Sequence, residues 1–413
     1  MISKRKVVRY LSEKTINRWL IVAGALLIQV CLGAVYIWSV FKAPLMKQFG
    51  WEAAPTSFTF SITILVFAAT TIFAGKLQDK IGPRWVATAG GLLYALGLIL
   101  ASKTTSIAWL YVTFGVIGGI GIGAGYVCPL ATCVKWFPDK KGLITGLAVA
   151  GFGLGGMIFT PVANTLKESV GLMNSFAYLG VIYGICVVLG AQILQNPPAG
   201  YTPAGWNPPA PASGKVGASA DFTTGEMIKS FQFYVIWISY FFGAGAGLMI
   251  IANALPIAQA QGLSAGLAAS AVMTVALFNA AGRIMWGVVS DKLGRTKTLM
   301  LIFLICGLTM LSLKLLTGTM ILIGVSLVGF CFGGFLAVYP SLTADYYGTK
   351  SYGMNYGTIF LSYGVGAVAG PMLYDIMKSP VPGQLSATPL MISGILCLVG
   401  LALALTLKAP SKA

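Results

Sequence analysis

Twelve stretches of this chain are each apolar for long enough to cross a lipid bilayer, and no other feature limits the fold so strongly. Crossing roughly 30 Å of hydrocarbon takes about 20 helical residues. Such runs lie near 19–41, 53–76, 85–102, 107–134, 142–166 and 172–194, then near 230–258, 265–290, 297–315, 319–344, 353–377 and 387–407. An α-helix satisfies its own backbone N–H and C=O groups, so a chain patterned this way folds in lipid as a set of spanning helices. The charge content agrees. Only 9% of residues are charged and 57% are hydrophobic, whereas soluble domains carry about 25% charged residues. Too few charges exist to build a water-facing surface, and the expected class is an all-α membrane protein with twelve transmembrane helices.

The segment 195–229 interrupts the pattern with six prolines, including the Pro197-Pro198 and Pro208-Pro209 pairs. It reads as a linker between an N-terminal unit, 1–194, and a C-terminal unit, 230–413. Thr223 and Glu226 have the spacing of a capping box, which predicts a short surface helix leading into the seventh span. Placing both termini in the cytoplasm, and the linker with them, puts 20 of the 27 Lys and Arg residues inside and 6 outside, with Arg283 alone within a span. The opposite orientation reverses the ratio and violates the positive-inside rule. The basic start, with Lys4, Arg5, Lys6 and Arg9, is not a secretory signal, because the first apolar run is too long and lacks a small-residue cleavage site.

Several function classes are excluded. The chain has no histidine and ten acidic residues, which removes the commonest general base and metal ligand; no enzyme activity, metal or cofactor is expected. Seven cysteines scattered through apolar runs read as small core residues and not as a disulfide framework. The net charge of +17 resides in short loops, where it sets topology, so the expected partner is the bilayer and not nucleic acid. Gly151-Phe152-Gly153-Leu154-Gly155-Gly156 fits a dinucleotide fingerprint by letter only, since no strand precedes it and no acid follows about 20 residues on. Close helix packing explains it, as it does Gly115, Gly119 and Gly123.

The two sets of six runs repeat at an offset near 212. Gly75-Lys76-Leu77-Gln78-Asp79-Lys80-Ile81-Gly82 aligns with Gly287-Val288-Val289-Ser290-Asp291-Lys292-Leu293-Gly294, and Pro129 and Pro340 sit at matching depths. A parallel repeat of six spans predicts two pseudo-symmetric six-helix bundles with a path between them. Gly75-x-x-x-Asp79-Lys80-x-Gly82-x-Arg84 resembles the signature loop of the major facilitator superfamily, with Pro83 in place of a usual basic residue; Gly287 to Arg295 is its second copy. The resemblance implies that Asp79, Arg84, Asp291 and Arg295 hold one gate closed through helix ends and neighbouring charges. Over nearly its whole length the chain also resembles the monocarboxylate transporters, bacterial lactate transporters among them, and the bacterial oxalate–formate exchangers. Trp136-Phe137-Pro138-Asp139-Lys140-Lys141-Gly142, Asp221-Phe222, Gly225-Glu226-Met227 and Asn355-Tyr356-Gly357 carry that likeness. It implies an inner-membrane protein of bacterial type acting as a monomer.

Arg283 is the most informative residue. It lies eight positions before Asp291 in an apolar run, about 12 Å deep at 1.5 Å per residue. A charge at that depth costs at least ~2.5–3.5 kcal/mol and is kept where it faces a cavity or a partner. The planar guanidinium matches a carboxylate, and in both related families the equivalent residue is the anion-binding arginine. Asn279 is one turn earlier on the same face, placed either to assist Arg283 or to bond another helix. In the animal monocarboxylate transporters that the chain resembles, this position looks like an aspartate; the change leaves Arg283 unneutralised and removes a proposed proton acceptor. Oxalate exchangers carry a lysine where this chain has Tyr363, and one fixed cation instead of two favours a monoanion. Tyr36, Tyr126, Tyr339 and Tyr363 supply polar aromatic groups at similar depth, and Phe152, Phe332, Phe335 and Phe360 supply apolar walls or plain packing. The expected function is transport of a small monocarboxylate, lactate first, by alternating access with a proton; anion exchange is the alternative. Asp345 and Asp375, near span ends like Glu168, are the candidate proton acceptors.

Overall fold

A computed structural model describes residues 16–206 and 221–410, apart from 378, 380, 382 and 383. The basic residues Lys4, Arg5, Lys6 and Arg9, and the Pro208-Pro209 pair of the linker, lie outside the described residues. Among the described residues, twelve helices are long and apolar enough to span a membrane: α1 (Arg18–Phe49), α2 (Ala53–Ile81), α3 (Pro83–Ala101), α4 (Ile107–Trp136), α5 (Lys141–Val170), α6 (Leu172–Ile193), α7 (Phe231–Ala260), α8 (Gly266–Leu293), α9 (Arg295–Leu315), α10 (Met320–Tyr347), α11 (Tyr352–Ile376) and α12 (Ala387–Leu405). Large apolar side chains such as Phe73, Trp85, Met273 and Ile376 stand exposed on the outer surface, where lipid and not water is the compatible solvent. An even number of spans returns the chain to the face where it began. That face, which carries Arg18 and Leu405, is called the terminal rim below.

Several helices outrun the apolar stretches that predict them. The second and eighth runs end near 76 and 290 by hydropathy, yet the helices continue to Ile81 and Leu293. Hydropathy reports where lipid ends, whereas the helix ends where the backbone is stopped. The stops are Gly82 and Gly294, which leave the helix at φ 92° and 87° with nearly the same ψ, 160° and 154°. A residue with a Cβ rarely adopts that conformation. The repeat is therefore present in backbone geometry as well as in letters.

Two irregularities have no clear signal in the sequence. In α1 a tight 3₁₀ turn, Ala34–Ile37, separates Arg18–Gly33 from Trp38–Phe49 and carries Tyr36. In α4 a wider π-type turn covers Tyr111–Ile117. The glycines of α4 do pack closely: a Cβ on Gly119 or Gly123 would strike the backbone or side chains of α2 at Thr63, Val66, Phe67 and Thr70. The capping box also forms. Thr223 and Glu226 start a short helix, Thr224–Lys229, ahead of α7. Asp221 accepts the amides of Thr349 and Lys350 at 3.0 Å each, and Asn355 ties that helix to α11 through Thr224 and the Phe222 carbonyl.

Candidate functional site

The first six and last six spans meet through glycines on the terminal-rim side. Gly75 of α2 faces Gly353 of α11, and Gly142 of α5 faces Gly287 of α8, each so closely that a Cβ would overlap the opposing backbone. The two signature acids span these same contacts. Asp79 accepts the Met354 amide at 3.2 Å, at the start of α11. Asp291 accepts the amides of Gly142 and Leu143 at 2.9 and 2.8 Å, at the start of α5. Each acid thus caps a helix of the other set, where the first amides lack intrahelical partners and the helix dipole favours an anion.

Basic residues complete the rim. Arg295 pairs with Asp291 at 2.7 Å and with Asp345 at 2.8 Å, and Lys141 of α5 reaches Asp345 at 2.7 Å. At the first copy, Lys135 approaches Asp79 only to 3.8 Å. Arg84 forms no ion pair among the described residues; it sits half-buried in the first turn of α3. Asp375 is exposed at the far end of α11.

Arg283 lies deeper, 1% exposed. Its Nε donates to Asn279 Oδ1 at 3.0 Å, and one terminal nitrogen donates to the Val149 carbonyl of α5. The other, Nη2, is buried with no partner among the described residues. Glycines make room for the group: a Cβ on Gly153 would come within 2.8 Å of the guanidinium carbon, and Gly146 and Gly333 lie against the backbone of its helix. Tyr126, Tyr240 and Tyr363 lie in the neighbourhood of Arg283.

Most of the aromatic residues expected from the sequence gather around this point. Tyr126 stacks on Phe360 with ring centres 5.0 Å apart and meets Phe152 edge-on at 5.2 Å. Tyr36 and Tyr363 join the two sets hydroxyl to hydroxyl at 3.2 Å, and Phe332 stacks on Tyr363 at 6.4 Å. Phe335 and Tyr339 turn elsewhere. Phe335 packs on Phe303 of α9, and Tyr339 bonds Ser239 of α7 at 2.7 Å, both inside the second set. Among the described residues, every hydrogen bond and ion pair between the two sets lies between the terminal rim and the level of Tyr36 and Tyr363.

Three participants have no place in the sequence-based list. Phe67 meets Tyr126 at 5.0 Å and Phe360 at 5.3 Å. Tyr240 stacks on Tyr339 at 4.1 Å. Tyr356 stacks on Tyr352 at 5.7 Å, and the hydroxyls of Tyr126, Tyr240 and Tyr356 sit together, that of Tyr356 within hydrogen-bonding reach of the other two. Tyr352, Tyr356, Phe360 and Tyr363 form a helical stripe at four- and three-residue spacing, a signal the sequence does contain. Tyr240 and Phe67 carry none.

Comparison with known proteins agrees with this geometry. The model of the Major Facilitator Superfamily matches residues 11–371. An uncharacterised transporter of that type from Escherichia coli, YhjX, is 32% identical over 85% of this chain and 86% of its own. The oxalate:formate antiporter of Oxalobacter formigenes is 30% identical, covering 86% and 83%, and monocarboxylate transporter 12 of Xenopus laevis is 26% identical, covering 86% and 81%. Among solved structures, the transporter FucP in its outward conformation superposes with a TM-score of 0.70 at 16% identity, over 93% of this chain and 97% of that one. Fold, repeat and rim contacts converge with these matches: the chain is a twelve-span integral membrane protein of the major facilitator superfamily.

Proposed function

We propose that this transporter moves small monocarboxylate anions, lactate among them, by alternating access around Arg283. One observation carries the reading: a buried guanidinium at the boundary of the two halves is held by two nitrogens and leaves Nη2 unpartnered. A desolvated donor on a charged group is costly unless an anion completes it, and a carboxylate fits the fork. A tyrosine at position 363, where a second cation would select a dianion, supports a monoanion. The moving units are 1–194 and 230–413, joined by 195–229, and a single chain encloses the whole path. With the terminal rim in the cytoplasm, Asp79, Asp291 and Arg295 act as the inner gate, and the closed rim corresponds to an outward-open state of a bacterial inner-membrane protein. The decisive test is competition by acetate, lactate, pyruvate, formate and oxalate for uptake into proteoliposomes. Oxalate outcompeting lactate would overturn the monoanion assignment.

Energy comes from proton symport in this reading. Exchange is the second reading, favoured by a specific observation: each described carboxylate lies at a span end or outside the spans, and none stands beside Arg283. Counterflow separates the two, since an exchanger requires anion preloaded on the opposite side.

A further inference from the structure

We propose that Lys167 is an entry-side binding group, which captures the carboxylate anion at the mouth opposite the terminal rim before it reaches Arg283. The lysine is half-buried near the far end of α5, and its ammonium donates to the Val40 carbonyl of α1 at 3.3 Å. That carbonyl is available because Pro44, four residues on within the helix, has no N–H to give it. Val40 lies one turn beyond Tyr36, about 6 Å farther from the terminal rim. In that direction the bond between Tyr36 and Tyr363 is the last hydrogen bond joining the two halves among the described residues. The ammonium therefore sits just outside the point where the halves separate.

An ammonium has three N–H donors, and the Val40 carbonyl takes one. Among the described residues no carboxylate lies within ion-pair distance of Lys167; Glu168, next in the chain, is exposed and does not pair with it. Lys42, two residues past Val40, adds a second half-buried cation without an ion pair among the described residues. The opposite end of α5 differs, since Lys141 is neutralised there by Asp345 at 2.7 Å. One helix thus carries a compensated cation at the closed rim and an uncompensated one at the other mouth. A cleft with apolar walls focuses such a field and raises the local concentration of the opposite charge. The inference rests on the reading of Arg283 as the anion anchor and adds a station ahead of it.

The test must separate this role from a plainer one, a lysine that only caps an orphaned carbonyl and complements the C-terminal end of its helix. Lys167→Gln keeps a donor for the Val40 carbonyl and loses the charge, whereas Lys167→Arg keeps both. Initial uptake of lactate is measured across a range of ionic strength in proteoliposomes with the Lys167 mouth outward. At low salt and subsaturating lactate, the Gln variant should be slower by about three- to tenfold, one charge's share of the field-driven gain in encounter. Its maximal rate and unfolding temperature should match the wild type. The difference should shrink as added salt screens the charge, and the Arg variant should behave as the wild type. A capping role predicts that the Gln variant keeps the wild-type rate and salt dependence, and that outcome overturns the proposal. A loss confined to the maximal rate or to stability overturns it as well. Uptake that depends on Arg283 but not on the charge at 167 defeats this inference alone. If no carboxylate is taken up, the anion reading of Arg283 falls and takes this one with it.

Discussion

Arg283 is a charge whose position is fixed from two sides and whose third nitrogen is left over. Substituting Arg283→Gln removes the fixed cation, and uptake should drop about 100-fold or more, the penalty for truncating one member of a desolvated charge pair. The protein should still insert and fold, because a buried charge is being removed, not added. Arg283→Lys should restore little, since a compact ammonium lacks the planar fork that spreads donors toward Asn279, Val149 and a carboxylate. Unchanged substrate affinity in purified Arg283→Gln would place the anion elsewhere. Tyr363→Lys tests the neighbouring choice. It breaks the bond to Tyr36 and sets a second cation beside the first, so the affinity ratio should move from lactate toward oxalate. No movement means that Tyr363 does not face the anion. Arg283 was legible in the sequence because a charge in an apolar run has few explanations. The aromatic residues were less so, because a tyrosine in an apolar helix shows no face until its neighbours are known. Tyr126, Phe152, Phe360, Tyr36 and Tyr363 converge; Phe335 and Tyr339 sit at similar depth and point into the second half.

At the scale of elements, the boundary between halves is built from helix pairs, α2 on α11 and α5 on α8, that touch through glycine. Such contacts exclude larger side chains rather than merely preferring small ones. Gly353→Leu should hold the terminal rim open, because its Cβ alone would come within 2.9 Å of the Gly75 Cα. Spin labels on the rim ends of α2 and α11 should then report longer separations than in the wild type. Equal distances would show that the seam absorbs the side chain. The number and order of spans were readable because lipid imposes a length on every one of them. Their ends were not, because Gly82 and Gly294 and not hydropathy stop the helices. The 3₁₀ turn of α1 and the π turn of α4 were unreadable for a related reason: both lie where a glycine, Gly33 or Gly115, packs closely on a neighbouring helix, which no local pattern encodes.

For the whole molecule, the open question in transport is what drives the halves from one arrangement to the other. Under the symport reading, an inward proton gradient should drive accumulation of lactate, and a protonophore should collapse it. Replacing both Asp345 and Asp375 by Asn should then uncouple uptake from the gradient while exchange persists. Uptake in the wild type that ignores the gradient and needs preloaded anion would establish exchange instead. The two rim acids also differ in a way that gives the motion an order. The α2–α11 edge is fastened by the Met354 amide on Asp79 at 3.2 Å and by Thr71, whose hydroxyl reaches the Gly357 carbonyl only at 3.5 Å. The α5–α8 edge has two amides under 3 Å, and Asp345 ties Lys141 to Arg295 beside it. A seam with unequal stitches tears from the weaker end. The departing solute should meet its first gap beside α2 and α11, with the stronger edge serving as the pivot. Time-resolved labelling across both edges should register separation there first, and simultaneous parting would mean that the halves move as a rigid clamp.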